Sequence, residues 1–132
     1  MNTRDIHASI FFKAPPSEVY QLLMDEKLHS IITEGEVKMS DRPDGRFEIF
    51  SGYCHGYNIE LIPDRKIVQA WHFDEDEWPR NHYSICTFEF EPHEGGCLLK
   101  FHQSDIPEDC GDKLEKGWQT YYWEPMQQYF EA

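Results

Sequence analysis

Positive charge is scarce in this sequence: 12 Lys and Arg stand against 25 Asp and Glu, a net charge of −13 over 132 residues. Phosphate backbones and anionic headgroups are held by clustered cations, so neither nucleic acid nor a membrane surface is an expected partner. A protein with a basic face would be steered inward instead. Long hydrophobic runs are also missing. None approaches bilayer length, and the start Met1-Asn2-Thr3-Arg4-Asp5 lacks the apolar stretch of a secretory signal. The four cysteines, Cys54, Cys86, Cys97 and Cys110, form no Cys-x-x-Cys pair and no short Cys/His ligand spacing. Reduced thiols in a cytoplasm are the simplest account of them.

Catalytic and cofactor motifs are absent as well. No Gly-rich phosphate loop, Gly-x-Ser-x-Gly or His-Glu-x-x-His pattern occurs. The acidic run Asp74-Glu75-Asp76-Glu77 lacks the central Gly and distal Glu of a calcium loop, and reads as a solvated turn. The seven histidines show no ligand spacing. His72 and His102 both fall on strand patterns, with the parity opposite the aromatic face, so they are candidate neighbours. No catalytic residue, metal ligand or cofactor is therefore expected.

What the sequence does have is core material, at 39% hydrophobic and 15% aromatic residues. A chain of this length can bury about two-thirds of its unfolded surface around one core, and residues 1–132 read as a single domain without linker or repeat. Ile6, Ala8, Ile10 and Phe12 alternate with polar neighbours as a first strand. Pro15-Pro16-Ser17 stops it and opens a helix carrying Val19, Leu22 and Leu23. Leu28, Ile31 and Ile32 suggest a second short helix ending at Gly35. A meander of strands follows: Phe47 to Ile49, then the alternation Tyr57, Ile59, Leu61, then Ile67, Gln69, Trp71, Phe73. Cys86, Phe88 and Phe90 alternate next, and a Pro92-His93-Glu94-Gly95-Gly96 turn leads to Cys97, Leu99 and Phe101. Leu114, Trp118, Tyr121, Tyr122, Met126 and Tyr129 lie at helical spacing, interrupted by Pro125, which predicts a kink. The order predicts an α+β fold in which the last helix covers the apolar face of an antiparallel sheet of about six or seven strands.

Particular segments carry a resemblance. Asp44-Gly45-Arg46-Phe47-Glu48-Ile49-Phe50-Ser51-Gly52, Glu60-Leu61-Ile62-Pro63, Ile67-Val68-Gln69-Ala70-Trp71, Thr87-Phe88-Glu89-Phe90 and Gly117-Trp118-Gln119-Thr120-Tyr121-Tyr122-Trp123-Glu124 together resemble the C-terminal domain of the activator of the heat-shock protein 90 ATPase. With Trp78-Pro79, His82-Tyr83 and Ile106-Pro107, the resemblance spans about residues 6–131. That family lies in the START-like, birch-pollen-allergen-like superfamily (SRPBCC). The resemblance implies a helix-grip fold, a curved sheet wrapped around a long C-terminal helix. A chain of 132 residues starting at the first strand of that domain is expected to lack the activator's separate N-terminal domain.

The foremost expectation is a non-enzymatic binding domain that holds a small hydrophobic molecule between sheet and helix. Its candidate lining is Phe47, Ile49, Trp71, Phe73, Phe88, Phe90, Leu99, Phe101, Trp118, Tyr122 and Met126, which share the strand parity or helical face expected to point inward. The resemblance implies two alternatives. One is a co-chaperone-like module that contacts heat-shock protein 90 and stimulates its ATPase. The other is a cyclase- or hydrolase-type enzyme, for which Tyr57, Gln69, His82, Tyr83 and Gln103 are the polar candidates.

Overall fold

The computed structural model describes residues 1–131, and its elements run in the expected order. Strand β1 (Thr3–Phe12) is followed by helices α1 (Pro16–Met24) and α2 (Glu26–Thr33). Six strands come next: β2 (Val37–Met39), β3 (Arg46–Ile49), β4 (Cys54–Ile62), β5 (Lys66–Phe73), β6 (Ser84–His93) and β7 (Gly96–Pro107). They form one seven-stranded sheet of order β1-β7-β6-β5-β4-β3-β2, with every neighbouring pair antiparallel. A 3₁₀ turn (Glu108–Cys110) leads into the C-terminal helix. This helix comprises α3 (Gly111–Trp118), a π-helical turn (Gln119–Trp123) and α4 (Glu124–Glu131). The fold is thus α+β and of the helix-grip type.

The alternating strands bury one face each. Ile6, Ile10 and Phe12 of β1, Ile67, Trp71 and Phe73 of β5, Cys86, Phe88 and Phe90 of β6, and Cys97, Leu99 and Phe101 of β7 are all buried. The C-terminal helix lies across that face: Trp118 packs on Phe101 at 4.6 Å and on Trp71 at 5.1 Å between ring centroids. Farther along, Phe130 meets Phe12 edge-on at 6.0 Å. Helices α1 and α2 close one end, where Tyr20 meets Phe90 and His29 meets Tyr122. Asp25 joins them. Its N–H bonds the Gln21 carbonyl as α1 ends, and its carboxylate accepts from the Leu28 N–H at 2.9 Å to cap α2.

Three expectations are corrected. Helix α2 ends at Thr33, two residues before Gly35, with Glu34 in the left-handed conformation at φ 54°, and it buries His29 and Ile32 while Ile31 is 60% exposed. In β4 Tyr57 and Ile59 face outward, and Cys54, Gly56 and Asn58 are the buried positions; a register shift after Asn58 then turns Leu61 back toward Ile67 and the core. Asn58 belongs inside because its amide bridges the Ser40 and Arg42 carbonyls at 2.8 and 2.9 Å. His72 and His102 are not neighbours: His72 opposes His55, and His102 opposes His7. Pro125, expected to kink the helix, follows a wide turn in which the Glu124 N–H reaches back five residues to the Gln119 carbonyl. No helix among the described residues is long and apolar enough to cross a membrane.

Candidate functional site

The core beneath the C-terminal helix is filled for most of its length. Phe47, Ile49, Phe88, Phe90, Leu99, Phe101 and Met126 are buried and pack in one cluster there. Toward the β3–β4 end of the sheet the packing parts, leaving a cleft of about 420 Å³. Trp71, Phe73, Trp118 and Tyr122 line it, so the structure brings these four inward candidates to one space. The remaining walls were not among the candidate lining residues. They are Phe50, Tyr53 and Cys54 around the start of β4, Glu75 after β5, and Lys113, Leu114, Gly117 and Tyr121 on the helix.

Local chain geometry places these groups. Phe50, Ser51 and Gly52 take positive φ in succession, at 56°, 56° and 96°, which folds the β3–β4 connection back sharply. Phe50 thereby meets Tyr121 edge-on at 5.5 Å. On the helix, the extra residue of the π turn brings the adjacent Tyr122 and Trp123 both inward. Gly117 leaves a gap, because a Cβ built there would meet nothing within 4 Å. Its side-chain position opens into the cleft.

The indole groups are fixed by a polar chain running through the sheet. The Trp118 Nε1–H donates to Gln103 Oε1 at 2.7 Å, and the Gln103 amide donates to Ser84 Oγ at 3.0 Å. Ser84 in turn donates to the Trp71 carbonyl at 3.0 Å. The Trp71 Nε1–H donates to Gln69 Oε1, and the Gln69 amide to Asn58 Oδ1, both at 2.9 Å. No buried side-chain polar atom among the described residues lacks a partner. Gln69 and Gln103 therefore hold the tryptophans and have no free group to offer a substrate. Tyr57 and Tyr83 pack together on the outer face. His82 is directed at the Asp105 carbonyl, 2.6 Å away.

Two further polar groups border the cleft. Glu75, expected in a solvated acidic turn, is only 12% exposed in its side chain and accepts from Lys113 Nζ at 2.6 Å and from the Tyr53 hydroxyl. The turn folds inward because those two donors await it. The Lys113 bond, then the Tyr53 bond, hold the Glu75 carboxyl below its ordinary range. Burial, and then the bond to Glu75, push the Tyr53 phenol up. Behind the cleft, His29 lies buried with Nδ1 2.8 Å from the Leu23 carbonyl and Nε2 2.8 Å from the Tyr122 hydroxyl. A carbonyl only accepts, so Nδ1 carries the proton and Nε2 accepts from Tyr122. Burial lowers the His29 pKa to about 4. Cys54 and Cys86 are buried thiols pushed well above their ordinary value by desolvation, which makes them poor nucleophiles.

Comparison with known proteins adds kinship to this geometry. Residues 13–131 match the family described as Activator of Hsp90 ATPase homolog 1-like protein. The chain is 28% identical over 119 residues to the human Activator of 90 kDa heat shock protein ATPase homolog 1, covering 90% of this chain and 35% of that protein. It is 28% identical over 130 residues to an uncharacterized Schizosaccharomyces pombe protein, covering 98% of this chain and 38% of that one. The chain thus spans little more than a third of these curated relatives. Among solved structures, an HSP90 activator from Plasmodium falciparum superposes with a TM-score of 0.82 at 23% identity, over 89% of each chain. A Chromobacterium violaceum protein gives 0.79 at 25% identity over 97% of each.

Proposed function

The chain belongs to the Activator of Hsp90 ATPase homolog 1-like family, and we propose that it is a non-enzymatic binding domain that holds a small hydrophobic molecule in the cleft between sheet and C-terminal helix. The observation that supports this is the cleft itself, about 420 Å³ and walled mainly by aromatic rings, with Tyr53, Glu75 and Lys113 as its polar groups. Small-molecule sites are commonly concave, mostly apolar and furnished with a few polar groups that fix orientation. Trp71, Phe73, Trp118 and Tyr122 would contact the ligand, and the buried Phe47, Ile49, Phe88, Phe90, Leu99, Phe101 and Met126 would back that wall. A melting-temperature screen against neutral aromatic and aliphatic lipophiles tests the reading. Raised melting together with quenched tryptophan emission supports it; no shift with any class of lipophile counts against it.

A second reading rests on the surface. Ile31 and Tyr129, 60% and 40% exposed, share a groove with Glu34 and Glu124, and the chain carries a net charge of −13. A groove that sets Ile31, Ile32 and Tyr129 beside two glutamates suits a protein with a basic face; one relative is named as an activator of the 90 kDa heat shock protein ATPase and one similar structure as an HSP90 activator. In this reading the domain binds that chaperone and raises its ATP turnover. ATPase rates unchanged by the added domain would dispose of it. The same charge argues against nucleic acid and membrane partners, and a cytoplasmic location suits the reduced thiols.

A further inference from the structure

The outer face of the sheet carries two cross-strand histidine pairs, remote from the cleft. His55 of β4 opposes His72 of β5, with centroids 4.8 Å apart and rings inclined by 33°. His7 of β1 opposes His102 of β7, stacked at 4.3 Å and 7°. The first pair is enclosed. His72 Nδ1 donates to the His82 carbonyl at 3.0 Å, and the rings of Trp78 and Tyr83 pack against His72. The second pair is open and has a carboxylate beside it, since His102 Nε2 donates to Asp5 Oδ2 at 2.9 Å.

Asp5 owes its position to a bulge in β7, where Ser104 and Asp105 stand opposite this one residue of β1. The register with β7 shifts between Arg4 and Ile6, near Asp105, whose φ is 62°. Such bulges re-aim side chains. Asp5 and His7 flank the buried Ile6 and so share the outer face, and Asp5 reaches diagonally to His102. Ligand atoms of Asp5, His7 and His102 all lie within 4.8 Å of one another.

We propose that Asp5, His7 and His102 form a binding site for a divalent first-row transition ion, of which Zn²⁺ is the best match. Two imidazole nitrogens and one carboxylate oxygen come from the protein, and water completes the shell. This donor set is of intermediate softness, which suits zinc, copper or nickel better than magnesium or calcium. Bonds of about 2.0–2.2 Å require the ligand atoms to draw to about 3.5 Å from one another. The Asp5 and His102 side chains are 47% and 42% exposed, so their terminal torsions are free to turn, which must tilt the His102 ring out of its parallel stack on His7 for both nitrogen lone pairs to meet the ion. Lys100, which lines the same groove as His7 and His102, is paired with Glu91 at 3.1 Å, and the overall charge of −13 favours a bound cation. Because β1 is an edge strand whose sole sheet partner is β7, the ion would clip the edge of the sheet.

The test is calorimetric titration of the whole chain with ZnCl₂, with Co²⁺ absorption as a report on coordination. The expected result is one equivalent bound with a Kd on the order of micromolar, and a raised melting temperature. Ligand replacement should weaken binding at least roughly tenfold in His7→Ala and in His102→Gln, and less in Asp5→Asn. His102→Gln can still donate to Asp5, so a loss there reports coordination and not a disturbed strand. His55→Ala should bind as the parent does. Absence of binding at millimolar zinc, binding indifferent to His102→Gln, or binding lost in His55→Ala would each overturn the proposal.

Discussion

His29 is held neutral by its surroundings: Nδ1–H is committed to the Leu23 carbonyl, Nε2 to the Tyr122 hydroxyl, and no carboxylate is among its partners. Its pKa falls from 6.5 to about 4 through burial. Below pH 6.5 the unfolded chain takes up a proton that the native chain refuses until about pH 4. The stabilisation is therefore complete above 6.5 and lost as pH falls through that window. Each pH unit is worth about 1.4 kcal/mol, so the loss should be on the order of 3 kcal/mol. Urea unfolding at a series of pH values checks this, and His29→Gln, which can both donate and accept, should flatten the profile. Glu75 adds a loss of the same sign at lower pH, since its pKa lies below 4.5. His29 was not legible as a buried group, because Leu28, Ile31 and Ile32 suggested a helical face that did not include it. Glu75 was masked by three acidic neighbours that face water. Whether a polar residue turns inward depends on partners distant in sequence, here Tyr122 and Lys113.

Strands were legible where alternation and burial coincide, as in β1, β5, β6 and β7. In β4 they conflict: Tyr57 and Ile59 begin an apolar period that faces outward, Gly56 and Asn58 hold the buried one, and a bulge after Asn58 brings only Leu61 of that period inward. Gly56 is opposite Trp71, and a Cβ there would collide with the Ala70 carbonyl oxygen and crowd the Phe47 ring. The strand must bring its backbone close, so the inward position goes to the residue without a side chain. Gly56→Ala should consequently cost at least about 2 kcal/mol, since backbone has to move. A chemical-denaturation midpoint within error of the parent would show that the sheet yields there. The three-residue β2 offered too short a pattern to read. The C-terminal helix shows a different limit. Pro125 predicted a kink; it did not announce the π turn just before it, which seats Tyr122 and Trp123 side by side in the core. A shift of helical phase by one residue leaves no mark in apolar spacing until both faces are seen.

At the scale of the molecule, the sheet and helix expected from the sequence are present, and the inward set Phe47, Ile49, Trp71, Phe73, Phe88, Phe90, Leu99, Phe101, Trp118, Tyr122 and Met126 is buried throughout. Parity identifies what faces the core. It does not locate the space left over, because that depends on how far the helix stands from the sheet and on side chains that are too small, such as Gly117. The cleft arises where Gly117, the left-handed Phe50–Gly52 turn and the inward Glu75 meet. The measurement that bears most directly on the binding assignment is a fluorescence titration of the parent and of Gly117→Phe with N-phenylnaphthylamine, each variant first shown to melt cooperatively. The account predicts saturable binding of one probe by the parent and none by Gly117→Phe, whose ring would occupy the cleft. Equal binding by both proteins would place the apolar site elsewhere and contradict it.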